Sequence, residues 1–251
     1  MSAVLYNVEE SVGRIKLNRP EKRNALNDEI VAGLKTALHD AQRDSDIRVI
    51  LIEGAGKDFC SGADLSSLQK IATASVSENA EDARSLLELF LLIRKISVPV
   101  VAAVRGRALA GGCGLATACD LVIATTSARF GYPEVKIGFV PAIVMAILRR
   151  NVSEKRAFEL ITRGEEISAS NALDIGLINK VFDDEKFDSE VANYLKRFTE
   201  VSKSAVALTK SLLYQVDGLS FTEAVETGAD VNVIARLTDD CQQGIARFLK
   251  K

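Results

Sequence analysis

Three short segments carry residues whose types and spacing could do chemistry. Phe59-Cys-Ser-Gly-Ala-Asp64 and Gly106-Arg-Ala-Leu-Ala-Gly-Gly-Cys-Gly114 each follow an apolar run that reads as a buried strand. Ligands of α/β sheets sit outside the carboxyl ends of the strands, so both segments are placed at a site. In the second, Gly111 and Gly112 open an uncharged stretch to Cys119 that predicts a helix tucked into the core. N–H groups at such a helix start are unpaired and lie at the positive end of the dipole, which suits an anion or an oxyanion. A tight turn with close helix packing is the plainer alternative. The third segment is Arg129-Phe-Gly-Tyr-Pro-Glu134-Val-Lys-Ile-Gly138, in which Glu134 precedes the apolar Val135, Ile137, Phe139 and Val140. A carboxylate walled by apolar neighbours has a raised pKa and becomes a usable general base. A solvated loop glutamate is the alternative reading.

Other chemistries find little support. The chain of 251 residues has one histidine, His39, which excludes a multi-histidine metal site. His39 falls near the end of a helix pattern beside Leu38, so no Ser-His or Cys-His mechanism is expected. Cys60, Cys113, Cys119 and Cys241 show neither C-x-x-C nor paired spacing, and buried free thiols in a reducing cytoplasm are expected. Gly54-Ala-Gly-Lys-Asp58 lacks the spacing and hydroxyl of a P-loop, and Gly112-Cys-Gly114 only half matches a dinucleotide fingerprint. G-x-S-x-G is absent. A net charge of -2 gives no whole-molecule field for nucleic acid or anionic membrane, so any anionic ligand must be held locally. No apolar stretch is long enough to span a bilayer, and no signal peptide is visible.

The elements that must position these residues follow from periodicity. Residues 4 to 17 read as two strands around a turn, and Asn27 as the N-cap of a helix carrying Ile30, Val31, Leu34, Leu38 and Ala41. Residues 48–53, 98–104 and 121–124 read as strands buried on both faces, with a helix over 81–96. Beyond about residue 150 the strand signal fades. Helices are predicted near 153–163, 168–175, 186–199, 202–214, 221–236 and 238–249, with Ser220 and Glu223 as a capping box. Strands alternating with helices imply a mostly parallel sheet. The expected organisation is an α/β core over 1–188 with a helical C-terminal region over 189–251.

Taken together and in order, these motifs resemble the crotonase superfamily of enoyl-CoA hydratases and isomerases. Leu17-Asn-Arg-Pro, Ala118-Cys-Asp120, Gly176-Leu-Ile-Asn-Lys-Val181 and Gly244-Ile-Ala-Arg-Phe-Leu-Lys-Lys251 extend the likeness over nearly the whole chain. The resemblance implies a crotonase-like α/β fold, a spiral of ββα units with a helical extension, and an acyl-CoA thioester substrate with no separate cofactor. It implies that the N–H groups of Ala63 and Gly111 grip the thioester carbonyl and that Glu134 moves the proton. It further implies that Lys22, Arg23, Ala25, Cys60, Asp64, Leu65, Pro133, Phe248 and Lys251 surround the CoA and acyl groups. The acyl pocket is expected along 66–90 and 138–145. A homotrimer or dimer of trimers, joined through the C-terminal helices, follows from the same resemblance.

One departure from the family pattern bears on the reaction. Two-glutamate hydratases carry a carboxylate two residues after the second glycine of Gly111-Gly112-Cys113, and this chain has Gly114 there. A lone Glu134 suits a double-bond isomerase, which needs one base that moves a proton. Against that, Gly138-Phe-Val-Pro-Ala142 and Asp239-Asp-Cys-Gln-Gln-Gly244 resemble bacterial hydratases of branched enoyl-CoA, of the methylglutaconyl-CoA type. Hydration is the favoured reading, with isomerisation, another thioester reaction such as decarboxylation or hydrolysis, and a non-catalytic acyl-CoA or RNA binder as alternatives. If water is added by one glutamate, changing Gly114 to Glu is expected to raise the rate.

Overall fold

The computed structural model describes residues 2–250, the side chain of Leu65 excepted. Strands β1 (Val4–Glu9) and β2 (Val12–Leu17) form a hairpin, and helix α1 (Asp28–Arg43) follows a one-turn helix at Pro20–Lys22. Asn27 caps α1 by accepting the Ile30 N–H, with Asp28 and Glu29 in the first turn where carboxylates oppose the helix dipole. Next come β3 (Val49–Gly54), α2 (Leu65–Thr73), α3 (Val76–Lys95), β4 (Val100–Val104), β5 (Arg107–Leu109), α4 (Gly111–Ala118), β6 (Leu121–Thr125) and β7 (Arg129–Gly131). The second half contains α5 (Ala142–Asn151), α6 (Glu154–Arg163), β8 (Glu166–Ser168), α7 (Ala169–Asp174), β9 (Lys180–Phe182), α8 (Phe187–Thr199), α9 (Lys203–Gln215), α10 (Phe221–Arg236) and α11 (Asp239–Leu249).

Six strands make one sheet in the order β1-β2-β3-β4-β6-β9, parallel except for the first hairpin. Its central strands are buried on both faces, as their unbroken apolar runs require. Ile50, Ile52, Val100, Ala102, Val122 and Ala124 face α1, α3 and α4, while Val49, Leu51, Val101, Ala103 and Ile123 face α8. A second, three-stranded sheet in the order β5-β7-β8 is extended by isolated bridges Cys60↔Ala108 and Leu26↔Ala63. Each turn of chain therefore adds one strand to the large sheet and one rung to the small one. The site described below is built on the small one.

Strand structure does not end near residue 150. β8 and β9 are three residues each, too short to show a period, and the second closes the edge of the main sheet. α5 also escaped the sequence reading, because its apolar stretch lacks the polar face that marks a helix. The division expected at 188/189 falls inside α8, whose Phe187, Val191 and Leu195 are buried against the large sheet. Among the described residues of α9, α10 and α11 only Lys210 is buried.

Lys210 fastens the outer helices to the core. Its ammonium donates to the Ile93 and Val98 carbonyls at 2.9 and 3.0 Å and to Asp120 at 2.6 Å. Asp120 also accepts from the Val100 N–H and the Tyr214 hydroxyl, both at 2.7 Å. Burial pushes the Lys210 pKa down, and Asp120 opposes that shift. Replacing Lys210 by Met leaves a buried carboxylate without its cation, for which a loss of about 3 kcal/mol is expected. A urea titration that returns an unchanged midpoint refutes this.

Candidate active site

Two backbone turns meet at the centre of the small sheet. Leu26 N–H donates to the Gly62 carbonyl at 2.7 Å, and Asp64 N–H donates to the Leu26 carbonyl at 2.9 Å. This parallel bridge uses the groups on either side of Ala63 and turns the Ala63 N–H the other way, toward a cavity. Beside it, Ala110 precedes α4 with φ 51° and ψ −129°, a conformation that costs a non-glycine residue about 1–3 kcal/mol. Its N–H is held by the Gly131 carbonyl at 2.8 Å. Neither the Ala63 N–H nor the Gly111 N–H donates to another described residue.

Close approach of these turns demands glycine twice. At Gly62, with φ 96°, a Cβ would lie 2.7 Å from the Cβ of Ala110, so the two turns touch. At Gly112 a Cβ would lie 2.3 Å from the Cys60 carbonyl oxygen, so α4 starts directly against the strip that carries Cys60. The rest of α4, from Gly112 to Ala118, is buried, as its small uncharged residues predict.

Ala63 and Gly111 open into a cavity of about 620 Å³ that Pro133 and Glu134 also line. Its apolar wall comes from Val31 of α1, Leu68 and Ile71 of α2, Leu86 of α3, and Ile143 and Val144 of α5. Glu134 stands in a single helical turn, Pro133–Ile137, started by the proline and closed by Gly138 in the left-handed region. Its carboxylate holds one buried oxygen with no protein partner. Burial raises its pKa, and its own N–H only partly offsets this. A carboxylate whose pKa is raised on a cavity wall is suited to take up a proton.

The remaining sequence candidates do not line this cavity. Cys60 and Ala25 are buried outside the cavity lining, and burial pushes the Cys60 thiol up to about 12. Lys22 and Arg23 are exposed on the loop before α1. Phe248 is 78% exposed on α11 and is not part of the cavity wall. Asp64 is buried; it caps α2 through the Ser66 N–H and pairs with Arg19 at 2.8 Å, so its carboxylate is not free for a ligand. Leu65 starts α2, while its side chain and Lys251 lie outside the described residues. His39 is exposed on α1.

Gly114 does not reach the cavity. A Cβ there would lie 2.2 Å from Cγ1 of Val144 and 3.5 Å from Cζ of Phe90, so the volume is already filled by aliphatic side chain. This packing opposes the expectation that Gly114→Glu raises the rate, since the new side chain has to displace Val144. Residues from both stretches expected to line the acyl pocket, 66–90 and 138–145, do line the cavity, whereas the wall contributed by α1 and the packing of Val144 on Gly114 depend on contacts between distant segments that the sequence does not show.

A family model described as enoyl-CoA hydratase/isomerase matches residues 7–251. The chain belongs to the enoyl-CoA hydratase/isomerase family. A Thermus thermophilus relative, provisionally named an enoyl-CoA hydratase, is 38% identical over 96% of this chain and 95% of its own length. The crotonyl-CoA hydratase of Syntrophomonas wolfei is 33% identical over 99% of this chain and 95% of that protein. The crystal structure of an enoyl-CoA hydratase from Mycobacterium smegmatis superposes with a TM-score of 0.95 at 29% identity, covering 100% of this chain and 97% of that one. The fold is thus shared with that structure over the full length of this chain, helical C-terminal region included.

Proposed function

We propose that the protein adds water reversibly across a 2-enoyl-CoA thioester, with the carbonyl gripped by the Ala63 and Gly111 N–H groups. The observation that carries the reading is the buried, unpartnered carboxylate oxygen of Glu134 on the same cavity as two free backbone donors. Donors fixed in a folded backbone stabilise the charge that grows on the carbonyl oxygen as C-α takes or gives a proton. Glu134 activates the water and returns the proton. Proton movement next to a thioester calls for no cofactor beyond the CoA of the substrate. Crotonyl-CoA hydratase among the relatives supports hydration.

A second reading, migration of the double bond between C-2 and C-3, is favoured by one observation. Val144 fills the space at Gly114, and this leaves Glu134 to work without a second carboxylate there. Incubation with 2-enoyl-CoA and 3-enoyl-CoA panels, followed by mass detection of 3-hydroxyacyl-CoA, separates the two. Hydration predicts a product 18 mass units heavier than the substrate, by the addition of one water; isomerisation predicts none. In either reading Glu134 works ionised, so activity falls as pH drops through its raised pKa. The acid limb of kcat/KM is expected above the ordinary glutamate value of 4.5, and a limb at or below it contradicts the assignment.

The assembly we infer is a homotrimer or a dimer of trimers. Phe221, Leu237, Phe248 and Leu249 are each more than three-quarters exposed on α10, α11 and their junction, and cover by a second copy would take these apolar side chains out of water. No described helix is long and apolar enough to cross a membrane. A cytoplasmic location is consistent with the free cysteines.

A further inference from the structure

Arg19 and Asp64 form a nearly buried ion pair at 2.8 Å, their side chains 18% and 7% exposed, one residue from the Ala63 donor. The two are 45 positions apart in the chain, and neither lines the cavity. We propose that they are positioning residues which aim the Ala63 N–H at the substrate carbonyl. The inference rests on the reading of Ala63 and Gly111 as the carbonyl-gripping pair.

Ala63 hangs on a strip held by the loop before α1. Ser61, Gly62 and Asp64 are all tied by backbone hydrogen bonds to the loop at Arg23 and Leu26, at 3.1, 2.7 and 2.9 Å. That loop is itself irregular, with Arg23 and Asn24 at φ 51° and 54°. Two side chains hold its shape. Asn24, fully buried, accepts the Arg19 N–H at 2.9 Å and donates to the Ala55 and Asp58 carbonyls at 2.9 and 2.8 Å. Arg19 donates to the Ala25 carbonyl at 3.2 Å with one nitrogen and pairs with Asp64 through another. The guanidinium fork thus joins both edges of the Leu26↔Ala63 bridge.

Without the fork, only single backbone bonds fix the peptide between Gly62 and Ala63, and Gly62 offers that peptide little resistance to rotation. An oxyanion donor has to be held to within about 0.5 Å and 10–20° of its productive aim. Asp64 serves α2 at the same time. Its other oxygen accepts the Ser66 N–H at 3.0 Å and the Ser66 hydroxyl at 2.9 Å, which fixes the carboxylate from a second side.

Two variants separate aim from folding. Asp64→Asn keeps an amide oxygen for the α2 cap, since asparagine caps as well as aspartate, but removes the charge that holds Arg19. Arg19→Lys keeps the charge and loses the fork. Both are made in the otherwise unchanged enzyme for kinetics, and in a Glu134→Gln background in which slowed turnover lets bound 2-butenoyl-CoA be observed. In that background, isotope-edited infrared spectroscopy of carbonyl-labelled 2-butenoyl-CoA reads the polarisation of the bound thioester.

A downshifted carbonyl band is expected with Glu134→Gln alone, moving back toward its free position with Asp64→Asn and part-way with Arg19→Lys. The kinetic counterpart is a fall in kcat of about tenfold to a hundredfold, the effect of a small misplacement, with KM changed less than about twofold. An unmoved band in both variants overturns the positioning role, whether kcat holds or falls together with a rise in KM. Absence of any downshift with Glu134→Gln alone overturns the reading of the site itself, which keeps the two failures distinct.

Discussion

Glu134→Gln is expected to lower kcat by about 10²–10⁴-fold, the range of a lost general acid–base group, while binding of the CoA thioester persists. Glutamine matches the shape of the side chain but cannot take a proton, and the cavity wall around it stays in place. Stability should move the opposite way. The Glu134 pKa is raised in the folded protein, so its contribution to folding is most favourable below the unfolded value and is lost as pH rises through the folded one. At pH 8 the glutamine variant is therefore expected to melt a few degrees higher than the parent, and at pH 4 the difference shrinks. Steady-state kinetics and thermal melts at the two pH values test both halves. Unaltered turnover removes Glu134 from the mechanism, and a lower melting point at pH 8 contradicts the burial argument.

The second large effect is at Gly114. Introducing Glu there drives a Cβ to 2.2 Å from Val144 Cγ1 and places a charge among buried neighbours. Overpacking alone costs about 1–3 kcal/mol, and an unpaired buried carboxylate adds to it or stays protonated. Gly114→Glu is expected to be strongly destabilised and poorly active. Pairing it with Val144→Gly removes both close contacts on α5, at about 1 kcal/mol for a glycine inside a helix. The double variant should regain much of the lost stability and admit a second carboxylate toward the cavity, which Val144 already lines. Its ratio of hydration to double-bond migration should rise above that of the parent. Denaturant midpoints and product ratios for the set decide the matter. A single Gly114→Glu variant as stable as the parent refutes the packing account.

Much of the fold could be read in the sequence wherever a local rule decides it. Asn27 with Asp28 and Glu29 starts α1, Ser220 and Glu223 form the capping box of α10, and Gly164 ends α6 in the left-handed region. The buried strands announce themselves as continuous apolar runs, and the helix Gly111–Ala118 as a stretch of small uncharged residues. Three-residue strands such as β5, β7 and β8 carry no period at all; they exist because neighbouring turns of the spiral supply their partners.

The site divides in the same way. Ala63, Gly111, Pro133 and Glu134 were legible through motifs and do share one cavity. Lys22, Arg23 and Phe248 do not line it, and side-chain type alone could not show which side chains do. The Arg19–Asp64 pair and the Val144–Gly114 contact were illegible, since each joins segments at least 30 positions apart through side-chain geometry.

The contact between Gly62 and Ala110 has a consequence for how such a protein can diversify. The two N–H groups at Ala63 and Gly111 are spaced by Gly62 packing directly on the Cβ of Ala110, and the apolar wall of the cavity comes from α1, α2, α3 and α5. Substitutions on those helices can reshape the space for an acyl chain and leave the donor spacing untouched. Inheritance thus acts on two separable parts: a carbonyl grip fixed by the close packing of Gly62 on Ala110, and a lining free to drift from one thioester to the next.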